Sequence, residues 1–542
     1  MSDDLDRIEQ IIDASGVAEI ELLLPTGVRP RQLKITTLLI GMTLAARAGR
    51  QAFLTDVHTT LTALPDGVQR RLGVIARWPH GDHRLTYRQV EYTFDRLTTA
   101  LSKVTPDGAP SQQLHDVLDR LLEASVQMLG EPATGSYAVD WTDLETWSRP
   151  PPKPRSKHTN PAAPTDPDQP TPPTPNDTTN TTTNTTTSTT SSDSNDRDEK
   201  DRPCADPEAS WGHRNSNHPA KGELFHGYYL QAITLVKDEH GPPVPELARR
   251  MHLASCKHDP PAEIVPVLKR MHASGITIAD VLADSGYAYR VPETWALPVR
   301  ALGINLIQDL HPNDRGPHGT HHGAICANGN LYCPATPPAL LDLQPLARGA
   351  STEQTAAHDQ QCEELAKYKL SPITAYDNDG YRRVNCPATQ GKLRCPHKPA
   401  SLTLPHDRPT ILDPPEHPPA CCRQQTITVP PTVNAKTAQK HDYPSAAHRT
   451  SYNRRTAAER TFATLTDRAT NDLSRGWCRQ MGLTAIALHT ATALIARNIR
   501  IHDAFTTRQA ENQRRETCGL PPKHRKRRRT TIHDLTPTAH AP

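Results

Sequence analysis

At 542 residues the chain has space for about three domains of ~150 residues each. Hydrophobic residues make up 35%, aromatics only 4%, with 52 prolines and a mean hydropathy of -0.64, so part of the length must be linker. The formal net charge of +3 excludes a strongly basic chain, and the eleven cysteines, an odd number, exclude a simple disulfide framework. Acidic residues stand where a secretory signal needs a basic n-region, and the most apolar stretch, Ile35 to Ala46, is too short to span a bilayer. Reduced thiols or metal ligands in a cytoplasmic protein are the consistent expectation.

Residues 1–130 read as a helical domain. Thr86 and Gln89 form a capping-box pattern, and Val90, Phe94, Leu97 and Leu101 follow at helical spacing. A second helix starts at Ser111, carries Leu114, Val117, Leu118, Leu121 and Leu122, and stops at Gly130. Arg29, Arg31, Lys34, Arg47 and Arg50 bracket the apolar segment between them, a pattern that could grip DNA phosphates or simply be surface charge.

Tyr137 to Trp147, within 131–149, reads as one strand running into a turn. The Pro/Thr/Asn-rich stretch 150–205 cannot bury enough apolar surface to order itself and is expected to be a disordered linker. Across 206–290, strands are expected at Tyr228–Val236 and near Met251–Cys256, a helix from Pro261 to Ala273, and a strand from Ile276 to Ala283 that ends in Asp284-Ser-Gly-Tyr287. Residues 291–448 form a Pro/His/Cys-rich insertion with few clear elements. Residues 449–506 read as helical and 507–542 as a basic disordered tail.

Tyr452, Arg455 and Glu459 are spaced by three and four, so on a helix they project within roughly 60° of one another. An apolar strand leads into Asp284, and another leads into Asp140. Asp143 is the rival on the same segment, with Asp206 and Asp238 weaker ones.

The string Tyr452-Asn-Arg-Arg-Thr-Ala-Ala-Glu459 resembles the C-terminal signature of bacterial insertion-sequence DDE transposases, the group marked by Tyr, Arg, Glu and Lys. Its lysine position holds Thr466, and Arg468 falls about 180° from Glu459 on a continuous helix. Val281-Leu-Ala-Asp284-Ser-Gly-Tyr287 resembles the second acidic motif of that family, and Val139-Asp140-Trp-Thr142 the first. The resemblance implies an α/β, RNase H-like mixed sheet with flanking helices, set beside the helical N-terminal domain and the Cys-rich insertion. It further implies Asp140, Asp284 and Glu459 as catalytic carboxylates holding two Mg²⁺ (or Mn²⁺) ions, and double-stranded DNA as partner of a homodimer. Tyr452, Arg455, Arg460 and the run Lys523, Arg525, Lys526, Arg527, Arg528 and Arg529 are the expected DNA contacts.

Cys326, Cys333, Cys386 and Cys395, with His397, Cys421 and Cys422 nearby, could supply a structural Zn²⁺ site, although the spacings are wider than usual. The His311–His322 cluster reads as loop composition. Two further readings stay open: a decayed or domesticated transposase that only binds DNA, and a nuclease of the same fold.

Overall fold

The computed structural model describes residues 2–24, 32–78, 81–102, 111–130, 132–152, 204–214, 224–347, 349–377 and 379–523. The expected linker therefore lies almost wholly outside the described residues, as do Arg29, Arg31 and the basic run from Arg525 to Arg529. Among the described residues no helix is long and apolar enough to cross a membrane.

The chain is a mixed α/β protein. Its N-terminal part comprises α1 (Ser2–Ala14), α2 (Ile35–Arg47), α3 (Leu54–Thr62), α4 (Asp66–Arg71), the hairpin β1 (Ile75–Trp78) and β2 (Gly81–Arg84), α5 (Tyr87–Leu101) and α6 (Gln112–Met128). The capping box forms at Thr86 and Gln89, and the Ser111 hydroxyl caps α6 by accepting from the Leu114 N–H. The hairpin is an addition to the all-helical expectation. Its polar β2 is exposed along its whole length and offers no alternating apolar pattern to read.

The central sheet contains β3 (Ser136–Glu145), β4 (Ser210–His213), β5 (Leu224–Val236), β6 (Ala248–Ser255), β7 (Asp280–Ala283) and β8 (Asn305–Gln308). Its order is β4-β5-β3-β7-β8, with β6 also pairing β5. The β3/β5, β4/β5 and β5/β6 pairs are antiparallel, whereas β3/β7 and β7/β8 are parallel. The crossover from β6 to β7 carries α7 (Pro260–Ala273), and the one from β7 to β8 carries α8 (Ser285–Ala288) and α9 (Ala296–Ala301). Parallel neighbours need such crossovers because a hairpin cannot reverse the chain twice.

Strand β8 corrects one expected boundary: the sheet continues past residue 290, so the insertion starts after β8 rather than at 291. The insertion is also better ordered than its composition suggests. It holds β9 (Pro317–His321), β10 (Ala324–Ala327) and β11 (Asn330–Tyr332) in one antiparallel sheet. After α10 (Pro338–Leu341) and α11 (Thr352–Tyr368), a second small sheet forms from β12 (Ser371–Pro372), β13 (Arg382–Asn385) and β14 (Ile427–Val429), with α12 (Ala420–Arg423) between the last two. The returning chain clamps β8: the Gln439 side chain accepts from Gln308 N–H at 2.8 Å, and Lys440 N–H donates to the Leu306 carbonyl at 3.0 Å.

The chain ends in α13 (Ala446–Tyr452), α14 (Thr456–Leu465) and α15 (Leu483–Thr517). A single 3₁₀ turn, Asn453–Arg455, joins α13 to α14. Helix α15 runs beyond the expected tail boundary at 507, because its polar end is rich in good helix formers even without an apolar face. The N-terminal helices, one face of the sheet and α15 share one apolar core, so the N-terminal part packs on the sheet instead of standing apart. Arg47 is held there by Asp4 at 3.1 Å and Asp503 at 3.0 Å, and Arg50 lies 3.7 Å from Asp56; both cations serve internal pairs.

On the opposite face α14 lies over β3, β5, β7 and β8. Ala457 and Ala458 pack against Ala138, Val236, Leu282 and Ile307, and their small side chains let the helix approach the strands closely. The Thr461 hydroxyl meets that of Thr234 at 3.0 Å.

Candidate active site

Side chains alternate along a strand, so Asp140 shares the α14-covered face with Ala138, while Asp143 points the other way. Asp143 is held on that other side by Arg214 at 2.9 Å. The remaining rivals are also occupied. Asp206 is buried and accepts from Thr146 at 2.6 Å and Tyr228 at 2.7 Å, and Asp238 accepts from the Thr134 and Ser136 hydroxyls at 3.0 and 2.7 Å.

The parallel register brings the two aspartates together. Ala138 pairs with Leu282; Asp140 follows two residues on within β3, and Asp284 two residues on, just past the end of β7, where its charge acts on Asp140. Neighbouring strands are about 4.8 Å apart. Asp284 caps α8, accepting from the Gly286 N–H at 2.9 Å and the Tyr287 N–H at 3.4 Å. Gly286 is required here by space: a Cβ would meet the Trp141 ring at 2.5 Å. Tyr287 is fully buried behind the turn and packs edge-on against Trp141.

Glu459 reaches the same place from α14. Arg455, one turn earlier, donates to the Glu459 carboxylate and lies 3.4 Å from Asp140, so one guanidinium bridges the two acids. Tyr452 covers that guanidinium, whose carbon lies 5.5 Å from the ring centre. The Tyr452 ring is in turn stacked on His448, whose imidazole meets the Gln308 carbonyl at 3.0 Å. This line of contacts ties β8 to the arginine. The shared helix face expected for Tyr452, Arg455 and Glu459 is present, with a 3₁₀ turn inside it.

Electrostatics at the site follow from burial and like charge. Burial first, and the Asp284 charge second, push Asp140 up to about 7, while Arg455 pulls it down. Burial also raises Asp284, again opposed by Arg455. Burial raises Tyr452, so its phenol stays protonated. Arg455 is raised by the carboxylates and phenol around it, despite its burial.

Two residues missed in the sequence shape this site. Asp309 directly follows β8 as Asp284 directly follows β7, one step past the paired Ala283 and Gln308. Its partners are the Tyr443 hydroxyl at 2.7 Å and Arg315 at 3.5 Å, and its charge acts on Asp284. The signal was available, since Ile304-Asn-Leu-Ile-Gln-Asp309 repeats the pattern of an apolar strand closed by Asp. Arg454 is the second. It is buried beside Arg455 and donates to Ser136 at 3.0 Å, Asp280 at 3.2 Å and the Lys237 carbonyl at 3.0 Å. It pins the start of α14 to β3 and β7, and so sets where Arg455 and Glu459 lie.

Other expected contacts are placed differently. Arg460 is taken up by Glu246, with Nε at 2.8 Å, and by Thr456. Helix α14 ends at Leu465, so Thr466 is its C-cap and Arg468 belongs to the following turn, where the 180° wheel argument no longer applies. A cleft of about 1360 Å³ is lined by Arg249, Arg250 and Arg270 paired with Asp119 and Glu123, and it contains none of the three acids. An extended nucleic acid needs an open surface, so that cleft does not define the site.

The acids fit a hard divalent cation by donor type, all oxygens from carboxylates. Arg455 already supplies positive charge between two of them, and its buried Nε has no hydrogen-bond partner among the described residues. Among the described residues, no three His, Cys, Asp or Glu side chains are gathered tightly enough to hold an ion without movement. Glu459, with its side chain half exposed, is the member free to swing. No family model matches the chain, and neither a curated protein nor a solved structure matches it.

Proposed function

We propose that the chain is a bacterial DDE transposase that cuts and joins DNA with Asp140, Asp284 and Glu459 as its carboxylates. The observation that carries this reading is the approach of Asp140, on β3, to Asp284, at the end of the adjacent parallel strand β7, with Glu459 linked to Asp140 through Arg455. A sheet of antiparallel strands continued by two parallel ones, with helices on both faces, supports an RNase H-like domain.

Two Mg²⁺ or Mn²⁺ ions at such a site supply an activated water or 3′-hydroxyl and stabilise the leaving oxygen of the phosphodiester. The chain's own residues do the rest. Asp140, buried and raised, releases its proton readily only when positive charge arrives beside it. Asp284 is fixed in orientation by the N–H groups of the α8 turn. Arg455 holds Glu459 ready and, once the acids are engaged elsewhere, offers its fork to a DNA phosphate. Tyr452 keeps that fork flat against its ring.

The partners in this reading are double-stranded element ends and target DNA, gripped by a homodimer with Lys523 and the basic run after it, on the nucleoid of the bacterial cytoplasm. A DNA-binding protein without catalysis is the second reading, favoured by Thr466, whose hydroxyl turns back to the Phe462 carbonyl at 3.0 Å and leaves that position without a cation. A strand-transfer assay on duplexes carrying the DNA that flanks the coding region separates the readings. Cleavage with joining is expected; cleavage alone means a nuclease, and binding alone means a decayed enzyme.

A further inference from the structure

The insertion carries a second cluster of chemistry that the DNA site does not use. Cys333, Cys386 and Cys395 are each followed by proline, and each opens a turn of the same build. The N–H three residues on returns to the cysteine carbonyl in every case: Thr336 to Cys333 at 3.0 Å, Thr389 to Cys386 at 3.0 Å, and Lys398 to Cys395 at 2.9 Å. Proline presets the first corner of such a turn.

In each turn the backbone N–H groups are also directed at the sulfur. Ala335 serves Cys333, Ala388 and Thr389 serve Cys386, and His397 and Lys398 serve Cys395. A neutral thiol is a weak acceptor and gains little from this arrangement; a thiolate gains a charge-assisted bond. Three repeats of one such turn are not needed to fill an apolar core.

The three turns converge although they start far apart in the chain. Cys333, Cys386 and Cys395 belong to one buried cluster with Tyr332, Leu393 and Ile411. Cys422, in α12, is close enough for its charge to act on all three, whereas Cys421 bonds Cys422 and interacts with Cys333 and Cys386 but not with Cys395. All four sulfur-bearing residues are buried. Cys326, on β10, packs with Cys421 and Cys422 in the neighbouring cluster, but burial alone raises its thiol and no other cysteine acts on it.

We propose that Cys333, Cys386, Cys395 and Cys422 form a tetrathiolate site for a structural Zn²⁺ ion, with Cys422 taking the place first expected of Cys326. Four thiolates drawn together would repel one another unless a cation stood between them, and an all-sulfur tetrahedral set selects zinc. The four side chains draw in on the ion, reaching Zn–S distances of about 2.3 Å. The need for such a staple is visible in the insertion itself, whose apolar residues divide into two small clusters instead of one core.

The test is zinc content of the full chain, purified under reducing conditions without chelator. The expected result is about one zinc per chain by mass spectrometry, released in step with thiol modification. Cys333→Ser, Cys386→Ser, Cys395→Ser and Cys422→Ser lose it, while Cys326→Ser and Cys421→Ser keep it. Because a zinc-free variant can misfold, the wild-type chain is also stripped and reloaded with Co²⁺, where a tetrahedral thiolate spectrum is expected. Wild-type protein without bound zinc and without cobalt–thiolate absorption overturns the site. Loss of zinc in Cys326→Ser, or its retention in Cys422→Ser, overturns the ligand set.

Discussion

Asp140→Asn removes one ionisable group from the carboxylate cluster and leaves its shape almost unchanged. Burial, then the Asp284 charge, raise Asp140 from 3.8 to about 7, with Arg455 opposing both. A shift of about three units at 1.36 kcal/mol each comes to about 4 kcal/mol. The folded pKa is the higher one, so the folded chain holds this proton more tightly than the unfolded chain does. The resulting contribution to stability is complete below about pH 4 and is lost as pH rises towards about 7. Wild-type protein should therefore lose up to about 4 kcal/mol over that window from this group, and the Asn variant should not. Denaturation at a series of pH values in the absence of divalent cations reads the difference. The variant should be the more stable chain at pH 8, with the gap closing as pH falls to 4. Adding Mg²⁺ at pH 8 should narrow the gap again, because the cation stabilises only the charged wild-type cluster. A stability difference that does not change with pH would refute the reasoning, as would a variant that is weaker at pH 8.

Arg454→Ala should destabilise the chain by about 3–5 kcal/mol in the same denaturation assay, since it leaves the buried Asp280 with Lys440 as its remaining charge partner; a loss under 1 kcal/mol would show that the arginine does not pin α14. Gly286→Ala should cost about 1–3 kcal/mol and change tryptophan fluorescence, because the new methyl must displace the Trp141 ring. An unchanged spectrum at full stability would contradict the packing described. Arg455→Lys should weaken DNA binding more at high salt than at low salt, as a point charge replaces a planar fork that binds two acids; equal binding at all salt concentrations would argue against a phosphate contact.

Local signals in the sequence located much of this site. The spacing of three and four placed Tyr452, Arg455 and Glu459 on one face, and the apolar run before Asp284 marked a strand end. The apolar run leading into Asp140 favoured it over Asp143, and the sheet adds that the two point to opposite faces, with α14 covering that of Asp140. Asp309 was hidden by a boundary drawn where proline, histidine and cysteine become frequent. The strand before it is four residues long, as short as the one before Asp284, but Asp309 lacks the Ser-Gly-Tyr that follows Asp284. Arg454 carries no local signal, since its partners Ser136 and Asp280 are distant in the chain. The insertion's small sheets were missed for the same reason: strands of two to five residues carry little alternation, and their pairing is long-range.

The central claim is that these carboxylates cut DNA with a divalent cation, and Asp284→Ala tests it most directly. The substrate is an end-labelled duplex carrying the DNA that flanks the coding region, and binding and cleavage are measured side by side in Mg²⁺. The account predicts binding equal to wild type and no cleavage. Undiminished cleavage by the Asp284→Ala chain would contradict it.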